Sequence, residues 1–367
     1  MYNKLVAINL SIYALLIANP DAFRSGLEVT YILLNILLCS SVLINKSIRA
    51  DAIFGLSVLL LVLCGYICTT CINKSFHGIV SDFSLLIRIS GLVSVMLWAS
   101  TLSKEDYLST FQAFYRINIL ILIFAYCFGF SDRVLGCLAL AVVGSLVETK
   151  RPVLKLGLVA LLAWLFEDRS IVMAIAFVVL YSYTIKCIRW DLVSRFWLFS
   201  LILILLILNS ALFINSESDY MNKVLSKRPF IATAYINETL EEDLVRAIFG
   251  NGVVNAQIAG HVGDLVKHRF DNSREYSPHS LYVGVFYEFG LVGLILLSTI
   301  VAFGYLVRSS ISGLNEIFVF LTFAGLTVPV FIGGRLICSM LFVAIFILIN
   351  HKPAVVKTTC SLETVLN

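Results

Sequence analysis

Residues 278–293 of this chain read PHSLYVGVFYEFGLVG and join a long polar loop to a strongly apolar segment. The loop, residues 215–280, is the only long polar stretch in a chain that is otherwise hydrophobic. It places His279 at a boundary between water and apolar surroundings, where an imidazole can still exchange protons near neutral pH. The pattern indicates an integral membrane protein with one site that faces water, and His279 is its first candidate residue.

The composition supports this class for the whole chain. It is 59% hydrophobic and 14% charged, with a mean hydropathy of +0.94, whereas soluble domains carry about 25% charged residues. Several cysteines fall inside apolar runs, where free Cys behaves as a small hydrophobe, so we expect no disulfide framework. The composition therefore excludes a soluble domain with a single anchor.

Apolar runs of near-spanning length recur along the chain. A spanning helix needs about 20 mainly apolar residues, and the runs predict an all-α polytopic protein with about 12 transmembrane helices and one large helical outer loop. The stronger candidates are residues 28–44, 52–71, 196–214, 281–307 and 336–350, and the weaker ones are residues 5–18, 85–100, 117–130, 134–147, 156–166, 170–185 and 317–333.

Lysine and arginine placement predicts the orientation. With twelve spans and the N-terminus inside, inner ends carry fourteen basic residues and the short outer turns carry five, as the positive-inside rule requires. The prediction is an N-terminal bundle of about nine helices in residues 1–214 and a periplasmic loop in residues 215–280. About three helices follow in residues 281–350, and then a cytoplasmic tail in residues 351–367.

The outer loop is predicted to contain helices. Residues 219–236 and 239–249 both have helical patterns, and the second begins with a capping-box pattern from Thr239 to Glu242. Gly250-Asn251-Gly252 is expected to end it. Residues 261–275, which are polar and mixed in charge, resemble a mobile lid.

Five arginines lie where a positive-inside protein should avoid them. Ionisable residues near or within spans are functional candidates, and a guanidinium binds phosphate oxygens with two parallel hydrogen bonds. Local ion pairs with a preceding aspartate, outward snorkelling or a solvated helix face are the alternatives. The five are Arg88, Arg133, Arg169, Arg228 and Arg335.

The motif around His279 resembles that of the O-antigen ligases and O-antigen polymerases (Wzy-type). That family has His, then Asn, Ser or Gln, nine residues, Gly, two residues, and Gly, Thr or Tyr. Here His279, Ser280, Gly290 and Gly293 match it at the end of the large outer loop. Arg169 before the loop and Arg228 early in it match further positions of the family.

The resemblance implies a membrane glycosyltransferase of the GT-C type in the bacterial inner membrane, with both termini cytoplasmic. It implies transfer of O-antigen glycan from undecaprenyl pyrophosphate to lipid A–core, with inversion and with neither metal nor cofactor. His279 would be the base that activates the acceptor hydroxyl, with Glu275 and Glu288 as alternatives. Arg88, Arg169, Arg228 and Arg335 would stabilise the pyrophosphate. No second His or Cys lies at zinc-ligand spacing from His279.

Two other functions remain open at this point. A polymerase of O-antigen, capsule or exopolysaccharide uses the same donor, with a second lipid-linked glycan as acceptor. A lipid-linked oligosaccharide flippase is less favoured, because transporters tend to have internal repeats and broken helices near the midplane. Nothing in the sequence indicates nucleic-acid binding.

Two features depart from the pattern of the family. Asp168 precedes Arg169 where the family has Ser or Thr, and the region between Arg133 and residue 156 is shorter than usual.

Overall fold

The computed structural model describes residues 24–45, 83–101, 104–129, 134–147, 152–187, 218–220, 227–242, 244–251, 256–270, 280–306 and 313–325, with isolated positions between 48 and 64. Within these ranges the secondary structure is helical, as predicted. The predicted spans at residues 5–18, 196–214 and 336–350, and the tail at 351–367, lie outside the described residues.

Seven helices coincide with predicted spans. They are α1 (Arg24–Asn45), α2 (Phe83–Thr101), α3 (Lys104–Cys127), α4 (Leu135–Leu146), α5 (Pro152–Leu165), α6 (Arg169–Cys187) and, after the loop helices, α10 (Leu281–Leu306); α11 (Leu314–Ala324) covers the first part of an eighth. Three helices and one short segment are described in the loop region between α6 and α10. These are α7 (Arg228–Glu242), α8 (Leu244–Phe249), α9 (Ala256–Phe270) and the short segment 218–220.

Helix α3 starts 13 residues before the predicted span at residue 117. Its first half is polar on the outside, but Thr110, Phe111 and Phe114 are fully buried there. The helix therefore begins in charged sequence because one of its faces is buried there. The segment before residue 117 is too polar overall to be recognised as part of a span.

The bundle is centred on α4, which packs against α3, α5, α6 and α11. Leu138 to Val143 are almost completely buried, and the largest apolar cluster surrounds them. Gly144 allows the closest approach, because a Cβ there would lie 2.5 Å from both Phe111 O and Tyr115 N on α3. The short α4 is thus the core of the bundle.

Helices α3 and α5 run in the same direction, because their side chains meet in the same order along both helices. Lys155 Nζ lies 4.8 Å from the centre of the Tyr115 ring, which joins the start of α5 to the middle of α3. The rings of Tyr126 and Phe166 are 6.0 Å apart at the other end of the same pair. Helices α1 and α2 pack against each other, with Ser94 Oγ donating to Asn35 Oδ1 at 2.8 Å, and the Trp98 ring of α2 meets the Phe114 ring of α3 edge to face at 6.4 Å.

Large apolar side chains cover much of the outside of the bundle. On α5 alone, Val153, Leu154, Leu161 and Trp164 are each more than half exposed. An apolar surface of this extent is not typical of a soluble monomer.

One helix in the described part of the chain, at Leu108–Cys127, is long and apolar enough to cross a bilayer by length and composition. Six other helices there have apolar stretches of 10–17 residues, which are shorter than a span requires. The number of twelve spans stays a prediction.

Replacing Gly144 with Ala should destabilise the bundle by about 1–3 kcal/mol, since backbone atoms of α3 occupy the space that the methyl group needs. Gly157→Ala on α5 is the matched control, because nothing lies within 4 Å of its Cβ position. Thermal unfolding in detergent micelles measures both. A Gly144→Ala protein that melts with or above Gly157→Ala contradicts the packing of α4 on α3.

Candidate functional site

The motif that begins at His279 continues into the first half of α10. His279 itself and Glu275 lie outside the described residues. Ser280 is buried and precedes the helix, and its carbonyl accepts a hydrogen bond from Gly284 N at 2.9 Å. Helix α10 therefore begins at Leu281, two residues after His279 in the sequence.

Gly290 breaks α10 into two segments. Its backbone has φ 63° and ψ −155°, a conformation that L side chains rarely adopt and that glycine tolerates. A Cβ at this position would lie 2.5 Å from Ile248 C and O and 2.6 Å from Gly250 N. The first motif glycine thus gives the helix its kink and lets the outer loop reach its backbone.

Gly250 makes the same contact from the loop side. It has φ 81°, its N–H donates to Arg246 O at 2.7 Å, and α8 ends there as predicted. A Cβ on Gly250 would collide with the backbone of Glu288 and Phe289. The two glycines therefore face each other, and the loop and α10 meet backbone to backbone.

Asn251 holds this contact with hydrogen bonds. Its N–H donates to Tyr287 O at 2.8 Å, and its side-chain Nδ2 donates to Tyr287 O at 3.2 Å and to Thr239 Oγ1 at 3.0 Å. Asn251 is 3% exposed, so these bonds form away from water, where leaving a polar group unsatisfied costs about 1–3 kcal/mol.

The predicted capping box at Thr239 is wrong. Helix α7 runs through this residue to Glu242, and Thr239 Oγ1 donates to Tyr235 O at 2.8 Å in the preceding turn. The side chain is fully buried and also accepts from Asn251. Tertiary contact with Asn251 therefore replaces the local cap that the sequence pattern suggested.

The first part of the predicted lid is a packed helix. Residues 256–270 form α9, and its Val262 and Val266 are fully buried in a second apolar cluster. That cluster joins α7 and α9 to Val283 and Tyr287 on α10. The rings of Tyr235 and Tyr287 meet edge to face at 4.9 Å. The outer loop is thus a small domain built on the motif helix.

Glu288 is a buried acid within this junction, at 5% exposure. Burial and the negative charge of Glu288 both raise the pKa of the Tyr235 phenol, which stays neutral at physiological pH. Glu288 also packs its backbone against Gly250. A side chain so enclosed has little access to a molecule outside the protein.

The four arginines of the predicted site lie in different parts of the chain. Arg169 begins α6 and is exposed, in a tight turn where Asp168 Oδ1 accepts from Ile171 N at 3.2 Å. Asp168 therefore caps α6. Arg88 lies on α2 and Arg228 begins α7, while Arg335 and Arg133 lie outside the described residues. Their convergence on one pocket stays a prediction.

A cluster of cations and aromatic rings surrounds the start of α7, beside Arg228. Arg269 lies 4.8 Å above the Phe230 ring and Lys227 Nζ lies 5.0 Å from the centre of the Phe270 ring. Arg269 Nη2 also lies 3.4 Å from Asp219 Oδ1. The sequence prediction did not include Arg269 in this cluster, because residues 261–275 were predicted to form a mobile lid.

Two other histidines of the loop are on its surface. His261 Nε2 lies 2.8 Å from Glu238 Oε1, which joins α9 to α7, and His268 is exposed near the end of α9. This pairing gives His261 a structural role on the loop and makes it a suitable comparison for His279.

Among the described residues, no three His, Cys, Asp or Glu side chains gather as a metal site would require. Cys68 and Cys71 have the CxxC spacing of a redox or metal pair, and both lie outside the described ranges.

Comparison with known protein families, with curated proteins and with solved structures gives no match to this chain. The likeness to the O-antigen ligases and polymerases therefore rests on the motif residues themselves.

Replacing Gly290 with Ala should cost about 2–4 kcal/mol, from the left-handed φ and from the clash with Ile248 and Gly250. We expect the loop to detach, so limited proteolysis should cleave residues 244–270 faster. Gly263→Ala on α9 is the control, since its Cβ position is open. Equal cleavage rates in the two variants would show that the glycine contact does not hold the loop.

Proposed function

We propose that this protein is an O-antigen ligase, a membrane glycosyltransferase that passes glycan from undecaprenyl pyrophosphate to lipid A–core at the periplasmic face. The observation that carries the proposal is the geometry of the motif glycine Gly290. Its kink and its contact with Gly250 give the spacing from His279 to Gly290 a structural purpose. The contact between Gly290 and Gly250 holds the outer loop against the helix that follows His279.

The chemistry suits such a site. The acceptor hydroxyl is a weak nucleophile and benefits from a base that titrates near neutral pH, which is the role proposed for His279. The leaving group is a lipid pyrophosphate, whose charge fixed guanidinium groups stabilise. Arg169, at the start of α6 and exposed, is available to an anion from outside the bundle. Arg88, Arg228 and Arg335 complete the proposed set.

A multi-pass location in the bacterial inner membrane, with twelve spans, is part of the proposal. The exposed apolar surface of α1, α3, α5 and α6 supports it, since lipid would cover such side chains. The helix contacts support the proposed orientation as well. Lys155 meets Tyr115, beside Arg116, at the proposed inner ends, and Tyr126 meets Phe166 at the proposed outer ends.

The same motif geometry supports the second candidate, a Wzy-type polymerase of O-antigen, capsule or exopolysaccharide repeat units. Donor, loop and histidine are common to both, and the acceptor distinguishes them. A deletion strain separates the two. Loss of a ligase leaves bare core and carrier-linked polymer, whereas loss of a polymerase leaves core with a single repeat. A flippase is less favoured, because transporters tend to have internal repeats, and this sequence has one asymmetric loop without such a repeat.

Replacing His279 with Ala should reduce glycan transfer by about 100-fold or more, the typical contribution of a general base. The His261→Ala control should retain transfer, because that imidazole pairs with Glu238 on the loop surface. Both variants are compared for membrane insertion and for transfer from purified lipid-linked donor. Full activity of an inserted His279→Ala protein refutes the proposed base.

Replacing Arg169, Arg228 or Arg335 with Lys should also impair transfer, since an ammonium group cannot bind two phosphate oxygens side by side as a guanidinium does. Arg116→Lys is the control, because Arg116 is exposed on α3 and is assigned to the inner side. The donor KM and kcat are measured for each. Wild-type kinetics in all three Lys variants would contradict the pyrophosphate clamp.

A further inference from the structure

Helix α10 is longer than a bilayer requires. Its 26 residues extend about 39 Å at ~1.5 Å per residue, whereas the hydrocarbon core is about 30 Å thick. From Phe289 to Leu306 the helix carries no charged residue, and Glu288 is its only ionisable acid or base. Part of α10 must therefore project beyond the hydrocarbon region or tilt within it.

The contacts of α10 identify the projecting part. Val283 and Tyr287, in the first segment, belong to the apolar cluster of α7 and α9, whose outer surfaces carry charged side chains such as Lys267. The second segment, residues 290–306, contains 17 residues, the lower limit for a span. Val285 and Phe289 of the first segment belong to the cluster of the bundle, so this segment joins the loop helices to the bundle. The kink at Gly290 separates it from a segment of membrane-crossing length.

Helix α8 lies at the level of this kink and exposes several apolar side chains. Ile248 and Gly250 contact Gly290 through their backbones, yet α8 has no buried residue. Leu244 is 74% exposed, and Val245 and Phe249, four residues apart on one side of the helix, are each nearly half exposed. Immediately after the kink, α10 exposes Leu291, Val292 and Ile295.

We propose that the kink at Gly290 marks the outer surface of the bilayer, and that α8 lies in the interface with Leu244, Val245 and Phe249 among lipid acyl chains. Helix α8 meets α10 at Gly290, where the exposed apolar stretch of α10 begins, so lipid around α10 would also reach α8, which is the reason for choosing lipid as the occupant. An interfacial helix of this kind buries an apolar face at the headgroup boundary. The inference rests on the membrane location in the proposed function and is independent of the chemistry.

Hydroxyl-radical footprinting of the full-length protein in phospholipid nanodiscs, with one copy per disc, tests the inference. Modification is normalised to the denatured chain. Leu265 on α9 is the matched control, because it is 39% exposed and Leu244 is 74% exposed. We expect Leu244 and Phe249 to be modified several-fold less than Leu265, which reverses the order that their exposure in the protein alone would give.

The other outcomes separate this inference from the proposed function. If Leu244 is modified more than Leu265 while Leu120 and Trp164 on the bundle are protected, the interfacial position is wrong and the membrane location stands. If Leu120 and Trp164 are modified too, the membrane location fails and the interfacial position fails with it. Protection of Leu244 that requires two copies in a disc makes a second copy the occupant and overturns the inference.

Discussion

The loop helices α7, α8 and α9 form a small outer domain with the first segment of α10. Its architecture depends on one contact between two stretches of backbone. Gly250 and Gly290 both lack the Cβ atom that would separate them, and both have positive φ. Because the contact involves main-chain atoms, it admits no adjustment by side-chain rotation. Any residue other than glycine at either place must move the loop, the helix or both.

The polar groups around the two glycines make the contact specific. Packing alone leaves the register between the loop and α10 open, whereas Asn251 bonds to Tyr287 O through both its backbone and its side chain. Thr239 connects Asn251 to α7, and the ring of Tyr235 meets that of Tyr287. A buried network of this kind favours one register, because a shift of the loop along α10 would lose both bonds from Asn251 to Tyr287 O.

Helices were predictable from the sequence wherever an apolar run matched a packed face. The predicted spans at residues 134–147 and 170–185 differ from α4 and α6 by only a few residues. The boundaries were wrong where burial of a few side chains extended a helix through polar sequence. The start of α3 and the continuation of α7 through Thr239 are the clearest instances. Local patterns contain no information on which residue a distant loop will meet.

The candidate site was predictable in part. The motif identified Gly290 and Gly293, and the Gly-Asn-Gly turn was recognised as a helix end, but their contact across about forty residues of sequence could not be predicted from either segment alone. Gly293 is buried against Phe289 and Val285 of its own helix, so it fits the turn that follows the kink. The roles of Asn251 and Thr239 likewise depend on the tertiary fold and have no signature in the sequence.

The backbone contact at Gly250 and Gly290 also determines which pieces of this protein can be exchanged with those of a related one. Because α10 supplies both Val283 and Tyr287 to the core of the outer domain, that domain ends at residue 290 and not at the last polar residue before the helix. A chimaera joined at residue 280 would separate the domain from two of the eight buried residues of its core. One joined beyond Gly290 would keep the loop helices together with Val283 and Tyr287.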